Sequence, residues 1–161
     1  MRAFRSHHHP GDAPLALVYA RALTGPLAWS MTGVMIAAAM AMLQAQDPLP
    51  WVVWVVPVVY VLSTAWTIYD LRHTPAEVVF DGPRGGVRSV WDTARRTSTL
   101  RLRPVYSPRR TLDGVDVPIG RTLYSFTPVD WPAYDQLEKA FFAAAAASED
   151  DRRERAASRG Q

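Results

Sequence analysis

The sequence predicts an α+β membrane protein: a two-helix transmembrane hairpin followed by a small antiparallel β domain that a C-terminal helix closes. Three observations lead there. Two uncharged stretches, Ala22 to Gln46 and Pro48 to Tyr69, are separated by a single acid, Asp47. Short runs of alternating apolar residues then follow, bounded by Gly- and Pro-containing turns. Last comes an Ala-rich segment with apolar residues at helical spacing.

Residues 1–25 read as a flexible tail and an interfacial helix. MRAFRSHHHPGD is polar and broken by Pro and Gly, the composition of a terminus that is not tied down. His7, His8 and His9 are adjacent on that tail, a spacing that does not converge on one ion, so no metal site is expected. From Ala13 to Thr24, Leu15, Val18, Tyr19, Ala22 and Leu23 recur on one helical face, as in a helix lying along a membrane surface. Gly25 and Pro26 then predict a break, with Pro26 starting the first span.

The transmembrane hairpin covers residues 26–70, with spans at about 26–46 and 51–69. The uninterrupted runs Leu27 to Leu43 and Trp51 to Tyr69 hold 17 and 19 residues. At about 1.5 Å per residue they reach roughly 25 to 29 Å, the thickness of a hydrocarbon core. A chain of 161 residues has little protein with which to bury two such helices in a soluble core. Trp51, Trp54, Trp66 and Tyr69, together with Arg72, suit the headgroup level at the two membrane faces. Pro57 lies inside the second span and removes one backbone hydrogen bond. Ser63, Thr64 and Thr67 supply hydroxyls near the end of that span.

Arg2, Arg5 and Arg21 precede the spans and Arg72, Arg84 and Arg88 follow them, whereas the turn between contains no base. Retained loops carry the positive charge, so both termini are expected in the cytoplasm and the protein in a bacterial inner membrane. The first apolar run begins late and is followed at once by another, unlike a cleaved signal peptide. Cys is absent, which is compatible with a reducing compartment. Basic charge is carried by 17 Arg and one Lys, Lys139, a bias of GC-rich genomes rather than of any mechanism.

Between apolar helices in lipid, close packing replaces the hydrophobic effect as the source of association. Gly33, Ala37 and Ala41 recur every four residues and form a smooth helix-packing strip, directed either at the second span or at a foreign helix. No His, Cys or carboxylate lies within either stretch, so intramembrane proton relays and haem or chlorophyll ligation by a membrane His are excluded. Pigment contact through a carbonyl or a water stays open.

Residues 74–147 read as a cytoplasmic strand-rich domain with its C-terminal helix. Pro75 stops the second helix. Glu77 to Phe80 and Gly85 to Trp91 flank the turn Asp81-Gly82-Pro83-Arg84 as a hairpin. Further strands are expected at Thr99 to Val105, at Val115, Val117 and Ile119 after Asp113-Gly114, and at Leu123 to Phe126, five in all. Asp130 is the expected cap of the last helix, with Pro132 in its first turn. Tyr134, Leu137, Ala140, Phe141 and Ala144 form the stripe that faces the sheet, while Phe142 falls off it, at the edge of the core or toward a partner. Residues 148–161, SEDDRRERAASRGQ, read as a disordered tail.

This order of elements, and above all GRTLYSFTPVDWPAYDQLEKAFF as a last strand and helix, resembles the bacterial pleckstrin-homology-like domains attached to paired transmembrane helices. The resemblance covers roughly residues 26–145. It implies a membrane-tethered module that binds anionic lipid or a protein partner, and it carries no motif with a chemical role.

Catalytic patterns are missing: the chain has no GxSxG elbow, no GxxxxGK[ST] loop, no HExxH and no Cys nucleophile. Gly82, Gly85 and Gly86 are explained by the hairpin, and Asp113 and Asp116 by their turn. No enzyme activity, cofactor or small-molecule substrate is expected. Residues 70–140 hold 11 bases and 9 acids, too even a balance for nucleic-acid binding. Arg95, Arg96, Arg101 and Arg103, with Phe142, are the candidate contacts to a partner or to lipid, against plain solvation of those arginines. The expected function is a non-catalytic accessory subunit of a larger inner-membrane complex, photosynthetic or respiratory. Its partners would be membrane lipids and other integral membrane subunits.

Overall fold

In the computed structural model, which describes residues 1–96 and 100–159, the chain begins with a strand, β1 (Arg2–Arg5). Two long helices follow, α1 (Leu15–Leu43) and α2 (Leu49–His73). The hairpin β2 (Pro75–Asp81) and β3 (Arg84–Ser89) leads into the short helix α3 (Val90–Ala94). Next come β4 (Arg103–Pro104), β5 (Arg109–Arg110), β6 (Val115–Ile119), β7 (Thr122–Phe126) and the closing helix α4 (Tyr134–Arg159). The chain divides into two compact units, one formed by residues 12–73 and the other by residues 1–11 with those from Thr74 onward.

In the helical unit, α1 runs unbroken through Gly25 and Pro26, where the sequence predicts an interfacial helix and a separate span. Proline at position 26 removes one hydrogen bond, but the ladder on either side of a 29-residue helix remains, and an apolar run offers the chain no better alternative. Pro57 is likewise carried inside α2. At the connecting turn, Asp47 accepts a hydrogen bond from the Leu49 amide at 3.0 Å and so satisfies one of the orphan donors of α2. Thr32 and Thr67 donate their hydroxyls to the carbonyls of Ala28 and Ser63 at 2.8 Å, keeping polar atoms within their own helix.

The other unit is antiparallel throughout. One sheet has the order β1-β2-β3-β4 and the second β5-β6-β7. The strands bridge at Val105 and Ile119, where the Tyr106 amide donates to Pro118 and the Gly120 amide to Pro104, each at 3.0 Å. The turn between β2 and β3 depends on Gly82, whose φ of +57° lies in the region that only glycine enters freely. Along β6, Val115, Val117 and Ile119 are buried while Asp116 and Pro118 are not, the period-two pattern visible in the sequence.

The core collects Phe4 from β1, Val78 and Phe80 from β2, the inward residues of β6, Phe126 from β7, and Leu137, Phe141 and Ala144 from α4. Phe141 is fully buried, with ring centroids 5.1 Å from Phe80 and 4.7 Å from Phe126, so α4 joins both sheets through one side chain.

Several expectations are corrected. Residues 2–5 are a strand rather than a flexible tail, paired from Arg2 opposite Phe80 to Arg5 opposite Glu77. Local composition hides this, because the partner strand lies some 70 residues away. The chain leaves β3 before Trp91, since the Ser89 hydroxyl accepts the Asp92 amide at 3.1 Å and starts α3. The strand expected from Thr99 to Val105 shortens to Arg103–Pro104 plus the bridge at Val105, and Thr99 itself lies outside the described residues. Among the described residues seven strands are formed rather than five. Asp130 does not cap α4, which begins at Tyr134. That helix also continues to Arg159 instead of fraying at 148, helped by the Asp151–Arg155 pair at 2.8 Å and by good helix formers.

Candidate functional site

The candidate sites named by the sequence are surfaces. On the helical unit the dominant feature is uncovered apolar area. Both helices are long and apolar enough to cross a membrane, yet α1 buries no residue and α2 buries only Ser63, Thr67 and Leu71. Trp29, Trp54 and Trp66 are 82%, 76% and 64% exposed. Scattered apolar residues on a surface are ordinary, but a continuous face of this size in water is not.

The predicted interface residues fall at the two ends of α2. Trp51 and Trp54 sit in its first turns, while Trp66, Tyr69 and Arg72 sit in its last, about 27 Å apart from Trp51 to Tyr69. Tyr69 stacks on His73 with ring centroids 4.0 Å apart, and the His73 Nδ1 lies 2.7 Å from the Tyr69 carbonyl oxygen. Within this unit a groove of about 760 Å³ is lined by Pro26, Trp29, Ser30, Leu62, Ser63 and Trp66, among others. Trp29 is the residue that sequence reasoning missed here; its position opposite Trp66 follows from the antiparallel pairing of the helices, not from local pattern.

Gly33 and Ala37 of the packing strip point outward, and a side chain built at Gly33 would meet nothing within 4 Å. Ala41 is half-covered. The less exposed face of α1 instead follows Leu27, Ser30, Val34, Ala38 and Ala41, a different helical stripe. The strip therefore does not hold the hairpin together.

In the β unit, Arg95 and Arg96 are exposed at the end of α3, Arg96 with a left-handed φ of +52°. All four predicted arginines are exposed, and two of them, Arg101 and Arg103, line an open cavity of about 180 Å³ with Thr122 and Tyr124. Phe142 is 39% exposed and carries the Arg110 guanidinium 5.4 Å above its ring, with Arg110 Nε 2.7 Å from Glu138. Phe142 is thus capped by a cation, and it lines a hollow of about 380 Å³ with Lys139 and Asp135.

The three histidines diverge. The His8 Nε2 lies 3.0 Å from an Asp130 carboxylate oxygen, the His9 Nδ1 accepts the Gly11 amide, and the His7 amide donates to the Asp130 carbonyl at 2.8 Å. Asp130 also accepts the Thr127 hydroxyl at 2.6 Å. That bond first, and the contact with His8 next, hold its carboxyl below the ordinary carboxylate range. Burial first, and then the nearby Glu138, push the Tyr134 phenol up. Among the described residues no three His, Asp or Glu side chains converge as metal ligands would.

No protein-family model, curated protein or solved structure matches the chain.

Proposed function

We propose that the protein is a non-catalytic accessory subunit of a bacterial inner-membrane complex, its hairpin packing against the helices of larger partners. The observation that carries this reading is the uncovered hairpin, with its tryptophans exposed and the Gly33/Ala37 strip directed away from α2. Strand pairing supports the hairpin topology. Because β1 and β2 are hydrogen-bonded neighbours, both flanks of the helical unit lie on one side of any bilayer that it crosses. The arginines flanking α1 and α2 favour the cytoplasm as that side. An energy-transducing complex is the proposed class of host. The test is solubilisation in mild detergent, followed by affinity capture of the full chain and mass spectrometry. Recovery of the same integral membrane subunits in stoichiometric amount is expected. Capture of free monomer alone overturns the reading.

A second reading is a membrane-tethered binding module of the pleckstrin-homology-like kind. It is favoured by four strands in one sheet and three in the other, closed by α4. Flotation with anionic liposomes of a chain joining residues 1–11 to 74–159 tests it, because β1 belongs to that unit.

A further inference from the structure

We propose that the β unit holds a phosphate-group site between β3, β4 and the β6–β7 turn, with Arg101 and Arg103 as its two cationic ligands. The inference rests on the second reading above, that of a tethered binding module, and supplies the chemistry of its ligand. The cavity there, about 180 Å³, is lined by Gly86, Arg101, Arg103, Ile119, Thr122 and Tyr124, with Val87 at its side. Its polar groups are two guanidinium ions and two hydroxyls, and it contains no carboxylate. The volume accommodates a five-atom phosphate with several waters, each of about 30 Å³ in the liquid.

Arg103 is seated by backbone geometry. Leu100 and Leu102 pack onto Gly86, where an added Cβ would lie 2.9 Å and 3.2 Å from their methyl groups. Arg101 and Arg103 both line the cavity. The stem of Arg103 lies across Gly120, whose φ is +65° and whose missing side chain leaves room for the Arg103 Cδ. Glycine at position 120 therefore serves both the turn and the seating of the arginine.

Among the described residues no carboxylate pairs with these two charges. Arg2, Arg88, Arg110 and Arg155 each engage Gln136, Glu77, Glu138 and Asp151, respectively. Arg101 and Arg103 make no ion pair, and Thr122 and Tyr124 make no side-chain hydrogen bond, among the described residues. Two neighbouring like charges over a polar hollow are stabilised by an anion that accepts from both, and guanidinium forks match tetrahedral phosphate oxygens. Arg103 stands opposite Gly85 of β3, beside the cavity-lining Gly86. A lipid phosphate headgroup and a soluble phosphate ester present the same chemistry to this site.

The experiment is titration calorimetry on the full chain in neutral maltoside micelles. Three probes are added in turn: inorganic phosphate, dihexanoyl phosphatidate, and dihexanoyl phosphatidylcholine as the zwitterionic control. Saturable binding of phosphate or phosphatidate is expected, at least tenfold tighter than of phosphatidylcholine. Phosphatidate binding well ahead of inorganic phosphate identifies a lipid source, and comparable binding of the two identifies a soluble ester. The double variant Arg101→Gln/Arg103→Gln should weaken binding at least tenfold. Arg152→Gln/Arg153→Gln, which removes the same charge from α4, should change it less than twofold. Tyr124→Phe should weaken it about threefold with the charge unchanged. Absence of saturable binding by all probes, or equal losses in the two double variants, overturns the proposal. Capture of a protein partner by the same chain tests the module reading independently, so the two can fail separately.

Discussion

Phe4 leaves only 7% of its surface exposed and meets the edge of the Phe80 ring at a centroid distance of 5.9 Å. In a solvated tail, Phe4→Ala would change nothing; here it should cost about 3 kcal/mol, the low end for truncating a buried Phe, because the site lies at a sheet edge. Urea unfolding of the full chain in micelles, followed through the β signal, measures this. Asp130 ties the same N-terminal segment to the loop before α4. Its folded carboxyl is depressed, so the stability it contributes is present above the ordinary carboxylate range and is lost as pH falls through the folded value. Asp130→Asn should accordingly be less stable than the parent at pH 7, with the difference shrinking below about pH 4. A gap that stays constant across a pH series of unfolding curves contradicts this assignment. Asp130 was legible in the sequence as a polar residue just before a helix, but not as the acceptor of Thr127 and His8. Capping is a local pattern, whereas the His8 contact spans 122 residues.

At the scale of elements, the sequence reveals whatever repeats over short distances. The two apolar runs, the β2–β3 hairpin, the alternation of β6 and the stripe of α4 all lie where periodicity places them. What it hides is non-local. β1 has the composition of a tail because an edge strand needs only one inward residue, here Phe4, and its partner is encoded beyond the hairpin. Continuity of α1 through Pro26 is hidden for another reason, since proline statistics come from helices that water can help to end. Of the candidate sites, the arginines were visible by charge, whereas the convergence of Arg101 and Arg103 on one cavity depends on the β6–β7 turn. A direct consequence of the topology is that residues 12–73 are an insertion between two neighbouring strands. Replacing them with a Gly/Ser loop of about five residues should yield a soluble monomer with an antiparallel β circular-dichroism spectrum. Deleting residues 1–11 from that same chain should leave β2 unpaired on one side and promote aggregation, read by light scattering.

For the whole molecule, the pairing of β1 with β2 makes a single membrane crossing incompatible with the fold. Cysteine reporters at Met1 and near Ser158, introduced into a chain that has none of its own, should react alike with an impermeant maleimide in sealed vesicles. Opposite accessibility would mean that the strands cannot share a sheet in the membrane-bound protein. Equal reaction from inside only would favour the cytoplasmic placement that the flanking arginines indicate.

The position of the inserted helices also sets an order of events during synthesis. Glu77, the partner of Arg5, is translated 72 residues later, which at 5–20 residues per second is roughly 4 to 14 s. Throughout that interval the first strand has no mate, and the two long apolar helices are completed before the sheet can close. Under the membrane reading proposed above, insertion of the helices precedes closure of the sheet, and slowing that insertion should prolong the lifetime of nascent chains whose amino-terminal strand is still open to proteases.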